Sequence, residues 1–483
     1  MSDSFNTRAG RYYYSHTSWF AKHDEVGTSI HNPFAHSKDW PDWLKNPVLN
    51  RLLAQPWLDY LCLRAITHHF MPLSRLWAAI DSNLDNIELL FPTYPWLSTY
   101  QSFRKIVRTL SSWKQNAVDI ENSWQGCLFG AEKITDTRFI EKYGLWQQAW
   151  QQWITRGKRL LYPYIMYQLN RCPKINFAIE HAVLREHSKT EKIQSDGSVQ
   201  AETRLSRRLP VNKGHQYWIK YMGGVETAWA SVFEPTKPIV GTFIYCHGLG
   251  VENELAGLPK EPEIAVLPQL GIRVIRLESA SHGRRRSTGF YDGEILFATA
   301  PQGILKFLQQ QNQEIAWLIS YARQLSQCPV ALGGTSLGAI SSLFYVTSWQ
   351  SHHKQQPDIL YLSAPDPDPL LLAYDSMLCQ QSGLSQALTK SGWNQERLRL
   401  YQTQIGQCYV APIDPANIIV NIAQYDTVTS PVRAQQLAFN WKIPKRNIFL
   451  RRQGHFTLQL GLLAESQPLY LLRERMQQLT HQS

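Results

Sequence analysis

From residue 239 onward, short apolar runs recur at 239–246, 273–277, 330–332, 359–362, 418–422 and 447–450, separated by segments long enough for helices, such as 304–326. Each run is too uniformly apolar to have a wet face, so it suits a strand covered on both sides. Strands alternating with helices imply a mostly parallel sheet with helices on both faces, which is the α/β class. Two earlier runs, 215–222 and 227–233, also read as strands, and they follow a polar stretch at 187–206.

Residues 1–175 follow a different pattern. They hold eleven of the seventeen tryptophans, and their amphipathic stretches at 47–80 and 103–113 have a helical period, interrupted by Pro56, Pro72, Pro92 and Pro95. The apolar spacing Leu52, Leu53, Trp57, Tyr60, Leu61, Arg64, Ile66 is that of a helix packed on a core, and no catalytic residue is assigned there. A chain of 483 residues exceeds the usual single-domain size, and 43% hydrophobic with 18% charged residues is ordinary for a globular protein. The expected organisation is therefore a helical, Trp-rich region at 1–175 and an α/β region at 176–483.

The net charge of +11 would suit an anionic partner, but the basic residues are scattered. The clusters Arg284–Arg286 and Arg204, Arg207, Arg208 do not alternate with aromatics as a base-stacking surface would, so a solvated basic surface is expected and nucleic acid is not. No apolar run of signal-peptide or membrane-spanning length occurs, and the seven cysteines are dispersed without a Cys-x-x-Cys pair. These features lead to the expectation of a cytoplasmic protein with reduced thiols and no metal site.

The chemistry concentrates in the segment 330–344. A short apolar strand runs into Gly334-Thr335-Ser336-Leu337-Gly338 and then into an apolar helix. A serine hydroxyl is a weak nucleophile unless a sharp turn presents it to a base, and the flanking glycines let that turn sit against its neighbours without a Cβ clash. The strand at 239–246 ends in His247-Gly248-Leu249-Gly250. Its loop can supply one backbone donor, Leu249 N–H, to a developing oxyanion, and Leu337 N–H can supply the other, with His247 shaping the loop. Asp426 follows the run 418–422, and Gly454-His455 follows the run 447–450. Acid and histidine thus fall at strand ends on the same sheet edge as Ser336, where His455 would act as general base and Asp426 would orient it. Asp366 and Asp368, in Asp-Pro-Asp-Pro after the run 359–362, are the alternative acids.

Together the elbow Gly334–Gly338, the His247-Gly248 loop, Asp426 and Gly454-His455 resemble the α/β-hydrolase superfamily over roughly residues 215–475. The resemblance implies an eight-stranded core sheet, a serine-hydrolase mechanism, no metal or organic cofactor, and acyl esters, thioesters or amides as substrates. It also implies that His282-Gly283 belongs to the loop after the fourth core strand, with Arg284–Arg286 as a weaker candidate for an acidic head group. The insertion at about 366–415 takes the position of a lid over an acyl chain. The leading functional expectation is hydrolysis of an ester or thioester of a small-molecule or lipid-like acyl group. Acyl transfer from the same serine, and a non-catalytic interaction or membrane-surface role for the tryptophan-rich half, are the alternatives.

Overall fold

The computed structural model describes residue 48 and residues 52–482, apart from 131–135, 183–202, 212–213, 223–225, 251–260, 349–354 and 404–409. Most of the polar stretch at 187–206 and part of the insertion at 366–415 lie outside the described residues.

Among the described residues ten strands form one sheet: β1 (Thr203–Leu205), β2 (Leu209–Val211), β3 (Gly214–Tyr221), β4 (Ala228–Pro235), β5 (Gly241–Cys246), β6 (Ile272–Glu278), β7 (Val330–Thr335), β8 (Ile359–Ser363), β9 (Ile418–Ala423) and β10 (Ile448–Arg451). Their order is β1-β3-β4-β6-β5-β7-β8-β9-β10, with β2 paired to β3. The six strands from β6 to β10 in that order run parallel. The pairs β3–β4 and β4–β6 are antiparallel. The six apolar runs from residue 239 onward are these six parallel strands, and β1 and β2 add two short strands at the edge that the sequence pattern does not signal.

Period-two alternation sends consecutive residues of each strand into different cores. Ile244, Cys246, Leu332, Leu360, Leu362, Val420 and Ile422 pack with residues of the helices Gln302–Leu325, Leu337–Ser348 and Pro431–Asn440. Their strand neighbours Phe243, Tyr245, Ala331, Ile359, Tyr361 and Ile419 pack with the helices Pro262–Val266, Thr457–Ala464 and Gln467–Gln482. The sheet is therefore covered on both faces, as its apolar strands require.

The N-terminal helices form a third core. Trp77, Trp124, Trp146 and Trp153, all at most 1% exposed, cluster with Trp218 of β3, Tyr291 and Ala298. The helix expected near 103–113 runs on through the polar residues after Trp113 to span Gln101–Phe129. Pro72 does not break the chain. It falls in the first turn of the helix Met71–Asp81, which continues from Pro56–Ala65 through one wider turn at Ile66–Phe70 that absorbs the missing N–H. Pro56 opens its helix, where a proline lacks nothing.

The helix Pro56–Ala65 reverses the expected orientation. Trp57, Tyr60 and Leu61 are 50% or more exposed, whereas Asp59 is 3% exposed and faces inward with Leu63. Arg284, Arg285 and Arg286 are not available to an acidic head group either. They pair with Glu278 at 2.6 Å, Glu314 at 2.5 Å and Asp81 at 3.1 Å. Arg286 also lies over the Trp77 ring and Arg284 over Trp146, so this basic cluster attaches the helical layer to the sheet.

Candidate active site

The turn at the end of β7 holds one of the non-glycine residues at positive φ. Ser336 sits at φ +56°, a left-handed conformation that costs a residue with a Cβ about 1–3 kcal/mol. The bond from Ser336 N–H to Ser363 O at 2.9 Å and the bond from Ile340 N–H to Ser336 O at 2.9 Å hold it there. A Cβ on Gly334 or on Gly338 would overlap the carbonyl oxygen of Cys246 on the adjacent strand β5. The glycines are thus required by the close approach of β5, and the serine side chain is partly exposed at the sheet edge.

Parallel pairing of β5 with β7 sets Cys246 beside Gly334, so the loop carrying His247 to Gly250 emerges next to the elbow. His247 is 1% exposed, its Nδ1 lies 2.8 Å from Gly248 O, and its Nε2 accepts the N–H of Ser279 at 3.1 Å. Nδ1–H therefore donates. Burial, reinforced by the Arg276 charge, pushes the imidazole well below its usual range and keeps it neutral. Leu249 occupies the turn after it, and Leu337 opens the helix Leu337–Ser348, where an N–H has no intrahelical acceptor. Both leucine side chains pack on a cluster containing Phe307, Ile340, Phe344 and the insertion residues Leu370, Leu384, Leu388 and Trp393.

Asp426 and His455 follow β9 and β10. Asp426 Oδ1 accepts the N–H groups of Val428 at 2.7 Å and Thr429 at 2.8 Å, and its Oδ2 accepts the Thr429 hydroxyl at 2.7 Å. The same Oδ2 lies 2.7 Å from His455 Nδ1. A carboxylate can only accept, so Nδ1 carries the proton and Nε2 is the ring nitrogen left for chemistry. Burial disfavours the imidazolium, but the Asp426 charge and hydrogen bond, with a further contribution from Asp59, outweigh it and hold the pKa above 6.5. The alternative acids are elsewhere. Asp366 is fully buried and takes two bonds from Arg433, at 2.8 and 2.7 Å, and one from Ser430 N–H at 2.9 Å. Its neighbour Asp368 is set by a bond from its own N–H to Asp366 Oδ1 at 3.0 Å.

His282 is fully buried with Nδ1 2.8 Å from Ala280 O, and Gly283 at φ +55° places its N–H 3.2 Å from Asp292 Oδ2, so this pair shapes the loop after β6. A cavity of about 460 Å³ is lined by Leu61, Arg64, His68, Tyr167 and others, with Ser336, Asp426 and His455 outside its lining. Among the described residues there is no group of three or more His, Cys, Asp or Glu suited to a metal ion, and no helix is long and apolar enough to cross a membrane.

No family model and no curated protein matches the sequence. The chain is similar to solved esterases. An S-formylglutathione hydrolase from Agrobacterium tumefaciens shares 13% identity over 56% of this chain and 99% of its own, with a TM-score of 0.36. Acetyl xylan esterase 1 from Thermoanaerobacterium shares 16% over 57% and 89%, with a TM-score of 0.37. Carboxyl esterase 2 from Tuber melanosporum shares 13% over 67% and 97%, with a TM-score of 0.33. At this distance the fold rests on the strand order and directions described above, and the chemistry on the side chains.

One further acid contacts the candidate site without a motif to mark it in the sequence. Asp59 reaches the His455 loop from the N-terminal helices, accepting Phe456 N–H at 2.6 Å and Thr457 N–H at 3.0 Å. The available signal was a lone acid inside the apolar run Trp57-Leu58-Asp59-Tyr60-Leu61, one turn before Leu63.

Proposed function

We propose that the protein is a serine hydrolase that cleaves a carboxylic ester or thioester through an acyl-enzyme on Ser336. The observation that carries this reading is the 2.7 Å bond between His455 Nδ1 and Asp426, at the strand edge shared with the strained Ser336 turn. In the first half-reaction His455 Nε2 takes the hydroxyl proton as Ser336 Oγ attacks the acyl carbon. The oxyanion is held by Leu249 N–H and Leu337 N–H, and the imidazolium returns its proton to the departing alcohol or thiol. In the second, His455 removes a proton from water, water attacks the acyl-enzyme, and Ser336 regains its hydrogen. No cofactor enters these steps. The apolar cluster of Leu370, Leu384, Leu388 and Trp393 beside Leu249 and Leu337 supports an apolar acyl group, with the insertion as its cover.

A fluorophosphonate probe is expected to label the protein, and Ser336→Ala is expected to abolish labelling together with turnover of a p-nitrophenyl ester series of rising chain length. Equal labelling of the mutant would sink the reading. Products formed in the presence of alcohol, amine or thiol acceptors separate hydrolysis from acyl transfer.

A second reading, peripheral membrane contact, has its own observation: Trp57, Tyr60 and Leu61 stand outward on one helix with Arg64. Liposome co-sedimentation that is unchanged when Trp57, Tyr60 and Leu61 are all replaced by Ser would remove it.

A further inference from the structure

The sequence pattern treats the N-terminal helices as a layer outside the chemistry, yet one of their side chains enters the histidine loop. Asp59 stands on the inward face of the helix Pro56–Ala65 and is 3% exposed. Its Oδ1 accepts the N–H of Phe456 at 2.6 Å and of Thr457 at 3.0 Å, with the Thr457 hydroxyl at 3.4 Å. The two residues directly after His455 are thereby tied to a carboxylate nearly four hundred positions earlier in the chain. The loop is shaped to receive it. A Cβ on Gly454 would overlap the Asp59 carboxyl group, so glycine before His455 is explained by this approach. Gly454 N–H is in turn bonded to Thr457 Oγ1 at 2.9 Å, closing a small network around the histidine backbone.

We propose that Asp59 is a positioning residue for His455, fixing the loop that carries the ring and placing a second negative charge behind the imidazolium formed when Ser336 loses its proton. This rests on the reading of Ser336, Asp426 and His455 as a catalytic triad. Asp426 orients the ring through Nδ1, whereas Asp59 holds the loop through the Phe456 and Thr457 amides and the Thr457 hydroxyl and acts on the ring through space. A buried carboxylate bonded to two N–H groups is held in place and costs little to reorganise when charge develops nearby. Among the described residues, the titratable groups that act on the pair are Asp426 and Asp59 at His455, and His455, Asp426 and Cys62 of its own helix at Asp59. Burial raises the Asp59 carboxyl above its usual range, while the Thr457 amide, the His455 charge and the Phe456 amide pull it back toward the carboxylate.

The test separates anchoring from charge. In Asp59→Asn the side-chain oxygen can still accept both amides, but the charge is gone. The expected result is a fall in kcat of about tenfold, KM within about twofold of wild type, and an acid limb of the kcat/KM profile displaced to lower pH. A parallel readout needs no turnover: NMR titration of the His455 ring, assigned by its loss in His455→Gln, should move to lower pH in the Asp59→Asn protein. Asp59→Ser repeats the measurement with a smaller neutral acceptor should the asparagine variant not fold. A His455 titration identical to wild type in every folded neutral variant overturns the proposal and leaves Asp59 a purely structural contact. Failure of the wild type to turn over any ester, with no labelling of Ser336, overturns the functional reading instead, and the NMR titration then decides the role of Asp59 alone.

Discussion

At the scale of single residues, the carboxylates of this chain are sorted by what each oxygen meets. Asp426 has both oxygens filled by local donors and by His455, and Asp366 has both filled by Arg433, Ser430 and Asp368, so two acids in similar strand-end loops acquire different tasks. Glu263 is a third case. It is fully buried beside the elbow and accepts the Thr335 hydroxyl at 3.1 Å. Burial pushes its carboxyl from 4.5 to about 7. The folded protein therefore keeps a proton that an unfolded chain releases, so this contribution to stability is full below pH 4.5 and is lost as pH rises through about 7. A shift of that size corresponds to about 3 kcal/mol. Glu263→Gln should flatten the decline, read from urea unfolding at pH 5 and pH 8; an unchanged difference between the two would refute it.

At the scale of elements, the informative feature is how the helical layer is fixed to the sheet. Arg75 of the helix Met71–Asp81 reaches both oxygens of Glu294 at 2.7 Å, and Glu294 also accepts Asn176 N–H at 2.9 Å and Tyr291 N–H at 3.0 Å. Both side chains are buried, at 6% and 0% exposure. Breaking such a pair leaves an uncompensated charge inside, so Glu294→Ala should cost about 3–5 kcal/mol. Its thermal midpoint should fall accordingly, and Arg75→Met with Glu294→Leu should recover part of the loss. Loss in the single variant of less than about 1 kcal/mol would show that water reaches Arg75. Periodicity reports that the helix Pro56–Ala65 exists but not which face is buried, because its apolar residues Trp57, Tyr60 and Leu61 point outward and an acid points in.

At the scale of the molecule, Trp218 of β3 lies in the same cluster as Trp124 and Tyr143, with ring centroids 6.1 and 5.6 Å away. Sheet and helical layer thus share buried area rather than meeting at a wet interface. Trp218→Ala should cost about 3–5 kcal/mol and lower a single calorimetric transition. Two separated transitions would show that the layers unfold independently.

The sequence by itself determined the class of the fold, because apolar runs of strand length must be buried on both faces and only a helix-covered parallel sheet offers that. It also determined the candidate nucleophile, acid and base, since Ser336, Asp426 and His455 each follow such a run and parallel strands put those ends on one edge. Only the tertiary structure decided which acid meets His455, where the three arginines after Gly283 find their partners, and that Asp59 bonds the loop after His455. Those outcomes depend on contacts between positions tens to hundreds of residues apart, and such contacts are set by packing and charge pairing across layers, which leave no period in the chain.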